Sequence, residues 1–581
     1  MKTHFRAICK PLILIATLAL MLGGCSKKSE QTGQSFDEYT NQLFMDEICS
    51  NTINLHYTLA YPANYGIEDY TPTLGNLNAE EMSSFTDELL SMKETLYSYD
   101  YAALTEEQQL SYDIMMDYID TELSAADLYL YSELLSPTTG YQSQLPVLLA
   151  EYTFRTERDI EDYLSLSSQI GDTFSSILEL ERARSSAGLF MADFAVDDVT
   201  SQMEEFISSP SDNYMIDVFN DKIDSFPGLS EHQKKDYKNR NYEIVTGSIV
   251  PAYQSLIDGL RSLKGTGRNP GGLCYLPKGD DYYKYLVKTK TGSSKSILQL
   301  KQRTERFISN ALLEIQSLLE EDPTLTDKFG SHTFPLTDPD AILKDLISKI
   351  GEDFPDPPEV GYTIKYVHES MQEHASPAFY LTPPIDDVQN NIIYINKKHL
   401  DDDIYTTLAH EGYPGHLYQT VYTSSKQLPL IRNLFSYSGY TEGWATYTEY
   451  YSYGISGLDK TLARTLSLNS AATLGLYAYI DLSVNYDGWD SDDVQMYLSN
   501  FGFSDKDIAD EIFRTMVEEP ANYLSYFIGY LEFLELREKA EKLCGSAFTA
   551  KEFHEIIMTI GPAPFDILEK YMTNTYRKKM K

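Results

Sequence analysis

The sequence predicts a mainly α-helical protein, large and bilobed, with one small β-sheet next to the helix that carries its densest chemistry. Three observations carry this expectation. Apolar residues recur at helical spacing over long stretches. A glycine-rich break, Gly265-Thr266-Gly267-Arg268-Asn269-Pro270-Gly271-Gly272, interrupts the chain once. Strong β-favouring runs occur only between about residues 361 and 396. No fixed-period repeat is present, so a solenoid is not indicated.

The chain opens with Lys2, Arg6 and Lys10 ahead of an apolar run from Leu12 to Leu22, followed by Gly23-Gly24-Cys25. A basic start, a short apolar run and small residues before a cysteine read as an export signal over residues 1–24. The run falls short of the ~20 residues that cross a bilayer. Leu22-Gly23-Gly24-Cys25 also resembles the bacterial lipobox, which implies lipid on Cys25 and a protein held outside the cytoplasm, on a bacterial cell membrane, by that lipid alone. Residues 25–35 are polar and read as a flexible tether. After Cys25 only Cys49, Cys274 and Cys544 remain, an odd and scattered set that forms no disulfide framework. With 47 Lys and Arg against 87 Asp and Glu, the formal charge of −40 repels phosphate backbones, and nucleic acid is not an expected partner. The 46 tyrosines are expected to pack with their hydroxyls at the wet edge of a core or cleft. Nothing in the sequence speaks to oligomeric state.

From residue 36 to 264 the pattern predicts an N-terminal helical region, with long helices over Glu106 to Leu134, Ile160 to Ala187 and Glu231 to Leu263. Pro62, Pro72, Pro137, Pro210 and Pro227 mark the joints. Residues 265–581 form a second region that begins with helices over Ser294 to Glu320 and Pro339 to Ile350. Short strands follow at Tyr362 to Val367, Ala378 to Leu381 and Asn391 to Asn396. An edge on the last of these, with Tyr394 along it, is a candidate to hold an extended peptide by strand addition; the plainer alternative is a sheet that braces the helices. Beyond Leu400 the chain reads as helical almost to its end.

The run His410-Glu411-Gly412-Tyr413-Pro414-Gly415-His416 sets two imidazoles and a carboxylate together. Imidazole nitrogens suit zinc, and a neighbouring glutamate can take a proton from activated water. In the common motif H-E-x-x-H, positions i and i+4 share a helical face. Here the second histidine follows at i+6, which on a regular helix points roughly 120° away and lies about 9 Å along the axis. Pro414 lacks an amide and clashes with the preceding turn, while Gly412 and Gly415 tolerate unusual dihedrals, so a bulged or broken turn is predicted. A catalytic zinc site wants a third protein ligand. Glu442 supplies it, on a second helix that returns after the turn-prone Ser424-Ser425 and Pro429. Trp444 and Ala445 imply that this part of the helix is buried, where an unpaired carboxylate is costly unless it meets a cation. Glu449, seven residues on, shares the face and is a candidate to orient a histidine.

His410-Glu411-Gly412-Tyr413-Pro414-Gly415-His416 with Gln419 resembles the H-E-x-x-P-G-H-x-x-Q signature of the domain-of-unknown-function 885 family, and Glu442-Gly443-Trp444-Ala445 resembles its E-G-W-A segment. Gly279-Asp280-Asp281-Tyr282-Tyr283 is similar to the family's G-x-x-Y-Y stretch, and Pro520 through Tyr526 to Gly529 to its P-x(5)-Y-x-x-G stretch. The resemblance covers most of the chain from about Phe36. It implies a helical, zincin-like metallopeptidase fold of the kind found in exported lipoproteins. It also implies Tyr526 as a candidate oxyanion donor, with Tyr282 and Tyr283 as candidates to line the substrate cleft. One departure is that many relatives carry a further histidine where this chain has Leu417.

The expected chemistry is hydrolysis of peptide bonds by zinc on His410, His416 and Glu442, with Glu411 as general base. Manganese or cobalt would suit the same ligand types. The rival expectation is a surface lipoprotein that binds peptides or glycans around a non-catalytic metal site. A structural zinc site closes with four protein ligands and needs no adjoining base, which favours the enzyme. Arg537 is expected to pair with Glu541 at i+4. His368 and His374 lack an adjoining base, and His399 and His554 read as helix-edge or core residues. No G-x-S-x-G elbow suggests a serine hydrolase.

Overall fold

The computed structural model describes residues 34–77, 79–368, 372, 376–400 and 404–580. The export signal, Cys25, most of the tether and His374 lie outside them. Within the described residues, the predicted helices form with ends set by caps and breakers. Ser35 opens Phe36–Ser50 by accepting the Glu38 amide, while the Glu38 carboxylate accepts the Ser35 amide in return. The run from Glu106 stops at Leu123, where the Ser124 hydroxyl donates to the Thr121 carbonyl, and only a 3-10 turn follows at Ala126–Tyr131. The stretch read as Ile160 to Ala187 is two helices, Glu157–Ser168 and Ile170–Ala187. Glu231 to Leu263 is continuous but widens into a π-helical segment at Val245–Ile249, just ahead of Pro251, whose ring nitrogen has no hydrogen to donate. None of these helices is long and apolar enough to cross a membrane.

Among the described residues, two large hydrophobic cores hold most of the fold together, with two small clusters beside them. The smaller core spans Ile53 to Leu260 and is built around Tyr152, Tyr163, Phe174 and Tyr253. The larger combines side chains from Tyr283 onward with those of the helices beginning at Phe36, Ala79 and Glu106. The earliest helices therefore pack with the second half of the chain, and the division of the core does not follow the break at Gly265.

The three predicted strands form one sheet: β1 (Gly361–Tyr366), β2 (Ala378–Leu381) and β3 (Asn390–Ile395), in the order β1-β3-β2. β3 runs parallel to β1, with Gly361 opposite Asn390, and antiparallel to β2, with Ala378 opposite Ile395. It is the central strand, so the expected peptide-holding edge on β3 is not available. Among the described residues, the outer edges belong to β1 and β2. Because successive side chains alternate between faces, Ile393 and Ile395 enter the main core on the side of the His410 helix. Tyr394 points to the other face, stacked on Phe379 with ring centroids 4.8 Å apart, and its hydroxyl donates to Glu151. Tyr394 thus ties the sheet to the N-terminal half and does not face the candidate site.

Candidate metal centre

The predicted irregularity between the histidines is a break between two helices. Ile404–Glu411 ends the first, and His416 opens the second, His416–Ser425. The crossing is so close that a Cβ on Gly415 would stand 1.8 Å from the His410 carbonyl oxygen and 2.4 Å from that of Ala409. Only glycine lets the chain fold back over the helix end and bring His416 alongside His410. The turn is pinned from across the site by Trp444, fully buried, whose indole N–H donates to the Pro414 carbonyl at 2.9 Å. That bond also fixes the helix Ser438–Ile455, and so Glu442, relative to the histidines.

Glu442 Oε2 lies 3.6 Å from His410 Nε2 and 3.4 Å from His416 Nε2, and the three potential ligand atoms are within 4.8 Å of one another. Two donors each ~2.1 Å from an ion and separated by the tetrahedral angle stand about 3.4 Å apart. The spacing and the donor types therefore fit zinc. On the far side of His410, Nδ1 meets Glu449 Oε2 at 3.0 Å, so a carboxylate, an imidazole and the ligand cluster are in line. Glu411 closes the other flank, its Oε2 accepting the Tyr380 amide of β2 at 2.9 Å. The Tyr526 ring lies 6.3 Å from that of His410, nearly parallel to it.

The electrostatics point the same way. Burial alone would raise the Glu442 carboxyl, but the facing His416 and His410 outweigh it and pull the group down to about 2. Burial alone would lower His410, but Glu442 and Glu449 at its two nitrogens hold it well above the ordinary histidine range. Glu411 is pushed up by burial against the pull of both histidines. The Tyr526 hydroxyl is driven far up by burial and by the Glu442 and Glu411 charges. Three glutamates and two imidazoles are gathered in one buried pocket, a donor set whose carboxylates a divalent cation would neutralise.

Other sequence-predicted residues lie elsewhere. Tyr283 is fully buried and donates to Asp481, a carboxylate that also accepts the Ala521 amide, so it braces three helices rather than lining a cleft. Tyr282 lines a separate cavity that does not include the histidines. Leu417, at the position where relatives carry a histidine, is wholly buried in the main core. Arg537 pairs with Glu541 at 3.0 Å and also donates to the Tyr447 hydroxyl. His554 is a core residue between the Asp353 carbonyl and Tyr447. The Tyr380 amide was missed because no side-chain pattern marks a backbone donor.

The fold recurs in solved structures. A candidate lipoprotein from Colwellia psychrerythraea superposes with a TM-score of 0.84 at 19% identity, covering 94% of this chain and 100% of that one. A candidate lipoprotein of unknown function from Shewanella oneidensis gives 0.66 at 17% identity, covering 93% of this chain and 100% of that one. No curated protein matches the chain. The family model described as bacterial protein of unknown function, DUF885, matches residues 62–572, and the chain belongs to that family.

Proposed function

We propose that the protein is a zinc-dependent peptidase of zincin-like design, held by lipid on Cys25 at a bacterial cell surface. The observation that carries this reading is the convergence of Glu442 on both Nε2 atoms, with Glu411 beside the cluster. His410, His416 and Glu442 would hold the zinc, which when bound would supply a Lewis acid able to acidify water and polarise a carbonyl. Glu449 keeps a proton on His410 Nδ1 and leaves the Nε2 lone pair free to bind. Glu411 takes the proton of the attacking water, and its raised affinity suits it to pass that proton to the departing amine. The Tyr380 amide engages one Glu411 oxygen and so fixes the other. Tyr526, whose hydroxyl stays protonated, donates to the oxygen on which charge develops. The anchoring part of the reading is supported by the lipobox-like start and by the lipoprotein descriptions of the two structural relatives.

Metal analysis and peptide-library cleavage test the proposal. Purified protein is expected to carry zinc and cleave library peptides, and Glu411→Gln to keep the zinc and lose at least about a hundredfold in rate. Equal cleavage by both proteins would sink the mechanism. Zinc without any cleavage would favour the binding lipoprotein.

A further inference from the structure

A cavity of about 460 Å³ lies between the two hydrophobic cores, with Leu135 and Phe190 on one wall and Phe435 and Tyr437 on the other. His410, Glu411, His416 and Glu442 are not among its lining residues. It nevertheless reaches the helices that carry the site. Ser438, which lines the cavity, precedes Glu442 by one turn, and Asn522, which also lines it, precedes Tyr526 by one turn. Residues four apart share a helix face and lie about 6 Å apart along the axis. The cavity therefore adjoins the metal cluster along two helices at once.

Three cations line it. Arg184 is committed to Glu133 and to the Ser132 carbonyl, and Lys288 to Asp117 at 2.8 Å. The Lys290 ammonium has no hydrogen-bond or ion-pair partner among the described residues. Of the lining carboxylates, Asp117 and Glu133 are taken by Lys288 and Arg184, Glu122 accepts the Tyr285 hydroxyl at 2.9 Å, and Glu519, whose charge reaches Lys290, accepts the Thr138 amide at 2.8 Å and the Asn522 side chain at 3.2 Å; Glu518, whose Oε1 has no hydrogen-bond partner, is pushed up to about 9 by burial and the neighbouring Asp198 and so keeps its proton. A half-buried ammonium that feels Glu519 only at a distance, with no direct hydrogen bond or ion pair, is incompletely compensated, and a ligand carboxylate in direct contact recovers that cost. Around it the walls are rich in aromatic rings, which suits an apolar or aromatic group attached to that anion.

We propose that this cavity receives the carboxylate-bearing end of a peptide, its apolar or aromatic part against the tyrosines and its carboxylate on Lys290. The class of ligand rests on the peptidase reading, but the test measures binding and is independent of cleavage. The probes are N-acetyl-phenylalanyl-phenylalanine, its C-terminal amide, and N-acetyl-phenylalanyl-glutamic acid amide. Calorimetric titration is run with EDTA on the otherwise intact protein, so that no carboxylate binds a metal, and with zinc on Glu411→Gln, so that nothing is cleaved. The free acid is expected to bind at least about tenfold more tightly than its amide in both conditions, the factor a charge-assisted hydrogen bond supplies. Recovery of affinity by the glutamyl amide assigns a side-chain carboxylate to Lys290, and failure to recover it assigns the chain terminus. Lys290→Gln is expected to abolish the preference and Lys290→Arg to keep it, both melting with the unmodified protein. The proposal is overturned if the free acid does not bind, if acid and amide bind equally, if the preference appears only with zinc, or if it survives in Lys290→Gln. Intact preference without cleavage of any library peptide would remove the peptidase reading and leave the Lys290 site standing.

Discussion

Glu449 shows how much one carboxylate decides at this site. It touches no predicted ligand atom, yet by engaging His410 Nδ1 it determines which nitrogen of that ring faces Glu442. Removing the charge while keeping the shape tests this. Glu449→Gln is expected to weaken zinc affinity about 10- to 100-fold, read by competition with a chromophoric chelator, with no change in far-UV circular dichroism. An unchanged affinity would show that the ring is oriented by packing alone. At this scale the sequence is informative where chemistry is dense and local. His410, Glu411 and His416 share one short run, and Glu442 stands beside Trp444, whose size announces burial. It is uninformative where a side chain's fate depends on a distant partner. The hydroxyl of Tyr283 meets Asp481, 198 residues away, and nothing in the G-x-x-Y-Y stretch distinguishes that brace from a cleft wall. Lys290 is harder still, since its lack of a partner is a property of the whole cavity.

Among elements, the contact that matters most is the crossing of Ser438–Ile455 with Asn522–Cys544, because one carries Glu442 and the other Tyr526. A Cβ on Gly529 would lie 2.1 Å from the Gly439 carbonyl oxygen and 2.8 Å from Gly443 Cα, so the two backbones touch with no room for a methyl group. Gly529→Ala is expected to force the helices apart and to destabilise the protein by about 1–3 kcal/mol in urea unfolding. Because Tyr526 sits one turn before Gly529, the same change is expected to slow cleavage more than it weakens zinc binding. A loss confined to stability would separate the packing of this crossing from the placement of Tyr526. The helices were legible from period and punctuation, and the strands from composition within one residue at each end. Strand order was not. That β3 is central, and that Tyr394 turns away from His410, follows from pairings between segments with no local signature of register.

For the molecule as a whole, charge and burial make pH a test. Burial pushes Asp481 up to about 7 and Glu47 up to about 8. Both folded-state values lie above those of the unfolded chain, so the folded protein binds more protons between them. The associated stability is full below about pH 4 and is lost as the pH rises through 7 and 8. Self-repulsion of a chain with formal charge −40 acts in the same direction. The urea midpoint is therefore expected to fall between pH 5 and pH 9, each such group contributing at most about 1.4 kcal/mol per pH unit, and Asp481→Asn is expected to flatten the slope. A midpoint that rises over this range would reverse the sign assigned to these acids. The two cores are also a property at this scale, and the sequence break at Gly265 misled about them because the first helix packs against residues hundreds of positions away. The Trp444 bond to Pro414 has a bearing on the order of events. His410 and His416 belong to a single stretch of chain and can meet early, whereas Glu442 arrives only when its helix docks and Trp444 seats on the turn. Before docking, only two of the three candidate ligands, His410 and His416, would be available to an ion. If the proposed site binds zinc, the firmness of its hold would gauge tertiary assembly, and a protein that begins to come apart along this helix would be expected to lose the ion before the histidine segment unravels.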